Sequence, residues 1–313
     1  MDVRDESWRD DFVMTGHGGW ATDGVQAGIA SGQLRRIRRG VYLPEQIAAT
    51  RSPEAAHRDL AYAHELLAPR QYVFSHATAA ALWRLPRIGG WPPLAHTSTR
   101  HARGGRSEGK LVCHTVGIAE VDRIEGLMVT PLLRTVVDVA RADGFRAGVL
   151  VADRALSGVS VNDAPRVAIS HLELQDAAAA TSPGRGSAVA REVAAFADAR
   201  AGSPGESFSR VRMRELQLPI PTLQREFTDR EGRMFADFCW QAHRVIGEFD
   251  GIGKYLREEW TDGRTPAGVV IDEKRREDRL RRLGWTVVRW GWGDVLVPGR
   301  LRAILSDVGI RPV

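Results

Sequence analysis

GESFSRVRMREL (205–216), RMFADFCW (233–240) and RVIGEFDGIGKY (244–255) decide how the last third of the chain folds. The first follows Ser203 and Pro204 and carries Glu206, the order of an N-cap, a first-turn proline and a third-position acid, so a helix is expected to start there. Phe208, Val211 and Leu218 supply its buried stripe. In RMFADFCW, Met234, Ala236, Phe238 and Trp240 alternate onto one face of a strand, which turns Phe235, Asp237 and Cys239 to the other. After a short QAH turn, RVIGEFDG reads as a second strand with Glu248 and Asp250 two residues apart on one face.

These acids carry the chemistry. A carboxylate in mid-strand among apolar residues is costly unless a cation or a hydrogen-bond donor stands nearby. Like charges at the spacing of Glu248 and Asp250 repel unless a metal or a basic side chain separates them. Glu206, Asp237 and Glu248 are therefore candidates for a site where a divalent cation, Mg²⁺ or Mn²⁺, holds a phosphodiester and its attacking water. Asp237 and Glu248 are the expected metal ligands, Glu206 and Asp250 stand beside them, and Lys254 is near enough in sequence to stabilise charge on the phosphate. Two of the acids also have a plainer reading, Glu206 as half of a capping box and Asp250-Gly251 as a turn. The cation reading requires the three carboxylates to converge. Oxygens that point apart, or that an arginine neutralises, would leave only a duplex-gripping role.

Downstream, DEKRREDRLRRLG (272–284) reads as a helix ended by Gly284, with Arg275, Arg279 and Arg282 on a stripe beside Leu280 and Leu283. That stripe suits either a phosphate backbone or an ion-paired surface. GWTVVRW (284–290) closes the domain as a buried strand.

The 313 residues are enough for two or three domains, and 43% hydrophobic with 27% charged residues is the balance of a globular protein with a core. No apolar run reaches the length of a membrane span, and MDVRDESWRDD lacks the order of a signal peptide, so a cytoplasmic protein is expected. Cys113 and Cys239 form no CxxC pair, which argues against a disulfide framework or a zinc ribbon. The net charge of +5 is carried mainly by arginine, which favours a polyanionic partner such as double-stranded DNA.

Residues 1–48 read as a winged helix-turn-helix: a helix over WRDDFVMTG, a second over VQAGIASGQL, and the basic hairpin LRRIRRGVYLP (34–44), whose Arg35, Arg36, Arg38 and Arg39 would contact phosphate. Residues 49–200 read as a mixed α+β domain, with helices such as SHATAAALWRLP (75–86) and strands such as LAHTST and KLVCHTV. His76, His96, His101 and His114 lie there without ligand spacing on any one element, so no chemistry is assigned to them. The Pro- and Gly-rich joints near 180–205 mark the start of a last domain, 201–313. The fold class expected is mixed α/β (α+β).

The order GES, DFxW, E-F-D-G, K-Y and EKRREDRLRRLGWTVVRW resembles the PD-(D/E)XK nuclease superfamily, and within it the very-short-patch-repair (Vsr) endonuclease branch. The resemblance implies a restriction-endonuclease-like mixed sheet flanked by helices and Mg²⁺-dependent DNA cleavage, with Asp237 and Glu248 as metal-binding acids and Glu206 as the helix acid. The usual lysine two places after the strand glutamate is Asp250 here, and Lys254 is the candidate substitute. LRRIRRGVYLP, SHATAAALWRLP and EGLMVTPLLRTVVDVARA resemble AbiEi-type antitoxins of type IV toxin–antitoxin systems. That likeness implies an alternative function: a non-catalytic autorepressor of its own operon that counters a nucleotidyltransferase toxin.

Overall fold

The computed structural model describes residues 2–3, 7–15, 22–69, 71–99, 111–115, 120–162, 165–251 and 266–312. It is a mixed α and β structure that divides into two compact units, Met1–Ala197 and Asp198–Val313. Among the described residues, no helix is long and apolar enough to cross a membrane.

The first unit begins with β1 (Asp2–Val3), a 3-10 turn at Ser7–Asp11, β2 (Val13–Met14), α1 (Thr22–Ala30) and the hairpin of β3 (Leu34–Arg38) and β4 (Val41–Pro44). Strands β2, β4 and β3 form a three-stranded antiparallel sheet over a small core of Val25, Leu34 and Tyr42. The helix expected over WRDDFVMTG does not form. Trp8 stacks on Tyr62 with ring centroids 4.4 Å apart, Phe12 packs on the same ring, and Val13 pairs with Tyr42, so tertiary packing overrides a weak helical propensity.

The rest of this unit holds α2 (Glu45–Thr50), α3 (Pro53–Leu66), β5 (Val73–Phe74), α4 (His76–Leu82), β6 (Ala95–Thr99), β7 (Leu111–Thr115), β8 (Asp122–Ile124) and β9 (Leu127–Val129). The strands join β1 in a mixed sheet of order β1-β8-β9-β5-β6-β7. Helices α5 (Leu132–Asp143), α6 (Phe145–Ser157), α7 (His171–Ala179) and α8 (Ser187–Phe196) follow. Ser170 and Glu173 close α7 with a reciprocal capping box.

The second unit runs α9 (Pro204–Glu215), β10 (Thr222–Asp229), β11 (Gly232–Trp240), β12 (Val245–Phe249), α10 (Pro266–Arg282), β13 (Thr286–Trp290), α11 (Trp292–Val295) and α12 (Pro298–Asp307). Its sheet has the order β10-β11-β12-β13, antiparallel except for the parallel pair β12/β13, and α10 lies in the crossover that a parallel pair demands. Both faces are covered. Cys239, Ile246 and Val287 pack with Leu280 of α10, while Phe238 stacks on both Trp240 and Trp290. The Trp290 indole donates to Ser209 of α9 at 2.9 Å. Two glycines permit close packing around the stacked rings and the helix start. A Cβ on Gly247 would lie 2.3 Å from Trp290, and one on Gly205 would lie 2.0 Å from Phe249, so α9 meets β12 through its own backbone.

Candidate functional site

Glu206 reaches its place because α9 starts where the sequence says. Ser203 is the N-cap and accepts from the Glu206 N–H at 3.2 Å, with Pro204 in the first position. The Glu206 carboxylate does not turn back to the cap's own N–H. It accepts from the Gly202 N–H at 2.9 Å, from the Ser203 hydroxyl at 2.8 Å and from Gln224 Nε2 at 3.1 Å. It is 3% exposed, so these donors stand in for water.

Gln224 carries the connection onward, since the same Nε2 donates to Asp237 Oδ1 at 3.3 Å. Its backbone has φ +47, a left-handed conformation that a non-glycine residue rarely adopts. Leu223 pairs with Phe238 and Arg225 with Ala236, which sets this irregular residue of β10 beside Asp237 of β11. Strain of this kind costs roughly 1–3 kcal/mol and concentrates where an arrangement has a use. Asp237 Oδ2 accepts from the Phe249 N–H at 2.9 Å, across the gap where β11 and β12 cease to pair. Burial, then the neighbouring Asp237 carboxylate, push the Glu206 carboxyl above the ordinary carboxylate range, against the pull of its three donors.

Glu248 is handled differently. It follows Gly247, whose pairing with Phe238 is the last of the β11/β12 ladder. Its side chain is buried and forked to Arg276 of α10: Nη2 lies 2.9 Å from Oε1, and Nη1 lies 3.1 Å from Oε2. Arg276 also donates to the Phe235 carbonyl. One of the three expected anions is thus neutralised by an arginine. Among the described residues, no three His, Cys, Asp or Glu side chains are placed to hold a metal ion together. Asp250 follows the strand end, half-buried, its backbone N–H donating to Trp290. Lys254 lies outside the described residues.

The arginines singled out in the sequence are largely engaged within the protein. Arg279 pairs with Asp229 and donates to the Gly232 carbonyl, Arg282 pairs with Glu231 at 2.9 Å, and Arg275 also has an internal partner. Arg35 forks onto Glu45 and donates to the Ala48 carbonyl, and Arg38 lies 2.9 Å from His64 Nδ1. Arg36 and Arg39 are exposed on the hairpin.

Sequence reasoning missed Gln224 and Arg276, the two residues that organise the acids. The positive φ of Gln224 has no local sequence signal, and Arg276 is one of several arginines in an even charge run. It also missed a convergence in the first unit. The His76 and His114 rings stack with centroids 3.6 Å apart, and His114 Nε2 lies 3.1 Å from His96 Nδ1. Burial, reinforced by the neighbouring imidazoles, lowers His76 to about 2 and His96 to about 4. These side chains come from α4, β6 and β7, so no single element shows their spacing. His101 lies outside the described residues.

The chain is 36% identical over 285 residues to the uncharacterized protein MT2308 of Mycobacterium tuberculosis strain CDC 1551, and equally to the uncharacterized protein Rv2248 of strain H37Rv. Each match covers 89% of this chain and 93% of the relative. The chain belongs to the family of these two proteins. No family model matches it, and no solved structure matches it.

Proposed function

We propose that this family member is a DNA-binding protein; because Arg276 neutralises Glu248, hydrolysis by its second unit, of the PD-(D/E)XK, Vsr-like kind, requires a divalent cation to displace that arginine, and without such displacement only a duplex-gripping role is left. The observation that carries the reading is the Gln224 amide holding the Glu206 and Asp237 carboxylates together. The element order, a helix, three antiparallel strands, a helix and a strand parallel to the third, supports it. Arg276 already neutralises Glu248, so a divalent cation would have to displace the guanidinium before Glu248 could serve as a ligand. Mg²⁺ or Mn²⁺ held by Asp237 and Glu248 would make a bound water more acidic and offset charge on the phosphate.

Hydrolysis would join the water oxygen to phosphorus, break the phosphorus–oxygen bond to the leaving nucleotide and return a proton to that oxygen. Glu206, with its carboxyl held above the ordinary range, is suited to take the water's proton. Gln224 positions it against Asp237. The test is incubation of the full chain with Mg²⁺ or Mn²⁺ and supercoiled, linear or single-stranded DNA. Metal-dependent cutting that Asp237→Ala abolishes supports the reading. Uncut DNA from both proteins refutes it.

The Arg276–Glu248 pair favours a second reading, a non-catalytic antitoxin-like repressor that uses the nuclease-like unit as a platform. The three-stranded sheet with Arg36 and Arg39 exposed would then serve as the winged element of an operator-binding domain. Binding to the protein's own promoter would survive loss of the acids and collapse on neutralising Arg35, Arg36, Arg38 and Arg39. Every phosphate that these arginines no longer neutralise would lower the salt slope by about one unit. A nucleotidyltransferase toxin encoded alongside would be its partner.

A further inference from the structure

We propose that Arg225 and Arg244, held against Trp285, form a sequence-independent clamp for the phosphate backbone of duplex DNA, at the end of the second unit's sheet where β12 and β13 begin. The proposal rests on the DNA-binding reading above and involves no metal ion. Arg225 lies on β10, Arg244 in the turn before β12 and Trp285 in the turn between α10 and β13. The Thr286 N–H donates to the Arg244 carbonyl at 2.9 Å, which ties the two turns together. Arg225 Cζ lies 5.7 Å from the centre of the Trp285 ring and Arg244 Cζ lies 5.2 Å from it, both within cation–π range. Phe227 meets the same half-buried indole edge to face, with centroids 5.0 Å apart.

These two arginines differ from those of α10 in having neutral partners. Arg276, Arg279 and Arg282 pair with Glu248, Asp229 and Glu231. Arg244 instead donates to the Gly284 carbonyl at 3.0 Å and the Leu283 carbonyl at 2.7 Å, and Arg225 donates to the Gln241 side chain. Among the described residues, neither pairs with a carboxylate. Carbonyl, amide and ring fix each guanidinium without supplying a counter-ion, so two positive charges stand in place before any ligand arrives. A guanidinium has five N–H donors, and the internal bonds of Arg244 use two, which leaves others for phosphate oxygens. Gly284, which ends α10, makes room for the group: a Cβ there would lie 2.9 Å from Arg244 Nη2. Residues 241–244 are exposed, so the turn is open to a partner. Contacts of this kind position a duplex and read no bases.

The experiment measures binding of the full chain to short duplexes of unrelated sequence by fluorescence anisotropy, over a range of salt and in EDTA. Arg225→Gln and Arg244→Gln should each weaken binding to every duplex alike and lower the salt slope by about one unit. Arg225→Lys keeps the charge and should keep the slope. A purely structural role would lower the melting temperature and leave the slope at the parent value. That outcome in Arg225→Gln overturns the proposal while DNA binding stands. No binding by the parent protein refutes the DNA-binding reading, and the proposal with it. Tighter binding of single-stranded RNA than of duplex overturns the choice of partner. Because Arg244 also caps the last carbonyls of α10, a readout in the parent protein guards against misfolding. The Nε–H resonances of Arg225 and Arg244, each assigned by its loss in the matching variant, should move on adding duplex. Resonances that stay put contradict the clamp.

Discussion

Both units bury carboxylates against arginines, Asp59, Glu125 and Asp138 in the first and Glu248 in the second, but among the described residues only the first also buries histidines. In the first, His57 and His76 are buried and His96 and His114 half-buried. Burial is the leading cause of each lowered pKa, and their partners are a threonine, a serine, a carbonyl and one another. In the second, Glu206 and Glu248 are buried acids, one held by three hydrogen-bond donors and the other by a guanidinium. Discharging a histidine to bury it costs little near neutral pH, whereas keeping carboxylates beneath the surface needs dedicated partners. In the second unit Gln224, with its positive φ, stands between two of the carboxylates.

The strongest way to break this comparison is to disturb the packing under the acids. Gly247→Ala places a methyl 2.3 Å from Trp290, and should destabilise the second unit by about 3 kcal/mol in urea unfolding followed by tryptophan fluorescence. A cost near zero would mean that the stacked rings do not brace β12.

Acid should strike the first unit instead. His57 falls from 6.5 to about 4, so the unfolded chain takes up its proton first; the stability it contributes is complete above pH 6.5 and lost as pH falls towards 4. Roughly 3 kcal/mol should disappear across that window, and thermal melts of His57→Gln should show a flatter pH dependence. If the two profiles run parallel, the imidazole does not carry the effect.

Glu206 has the reverse sign. Its raised carboxyl favours the folded state when protonated, an advantage lost as pH rises through the folded value. Glu206→Gln should therefore raise the melting temperature at pH 8, with the gain fading as pH falls through the folded value. A lower melting temperature at pH 8 would show that its three donors outweigh the repulsion. At the bottom of the scale, Arg282→Ala removes an exposed pair with Glu231 and should change stability by less than about 0.5 kcal/mol.

Much of the second unit was legible in its residues. Ser203, Pro204 and Glu206 announced α9, alternation in RMFADFCW announced β11, and Gly284 ended α10. Those signals are local, set by caps and periodicity. What could not be read depended on packing between elements: Gln224 turned by an irregular β10, Arg276 chosen over its neighbours, Cys239 drawn into the core beneath α10. The first unit shows the same division. Its amphipathic α5 and α6 follow their patterns, while Trp8 and Phe12 abandon a helix to pack on Tyr62, and three histidines meet from separate elements.

The central claim is that the acids of the second unit form a place for a divalent cation beside a phosphodiester. A crystal soaked in Mn²⁺ tests it most directly. The account predicts an anomalous peak between Asp237 and Glu248 with Arg276 turned away from the carboxylate. Arg276 still forked onto Glu248, with no peak beside Asp237, would contradict it.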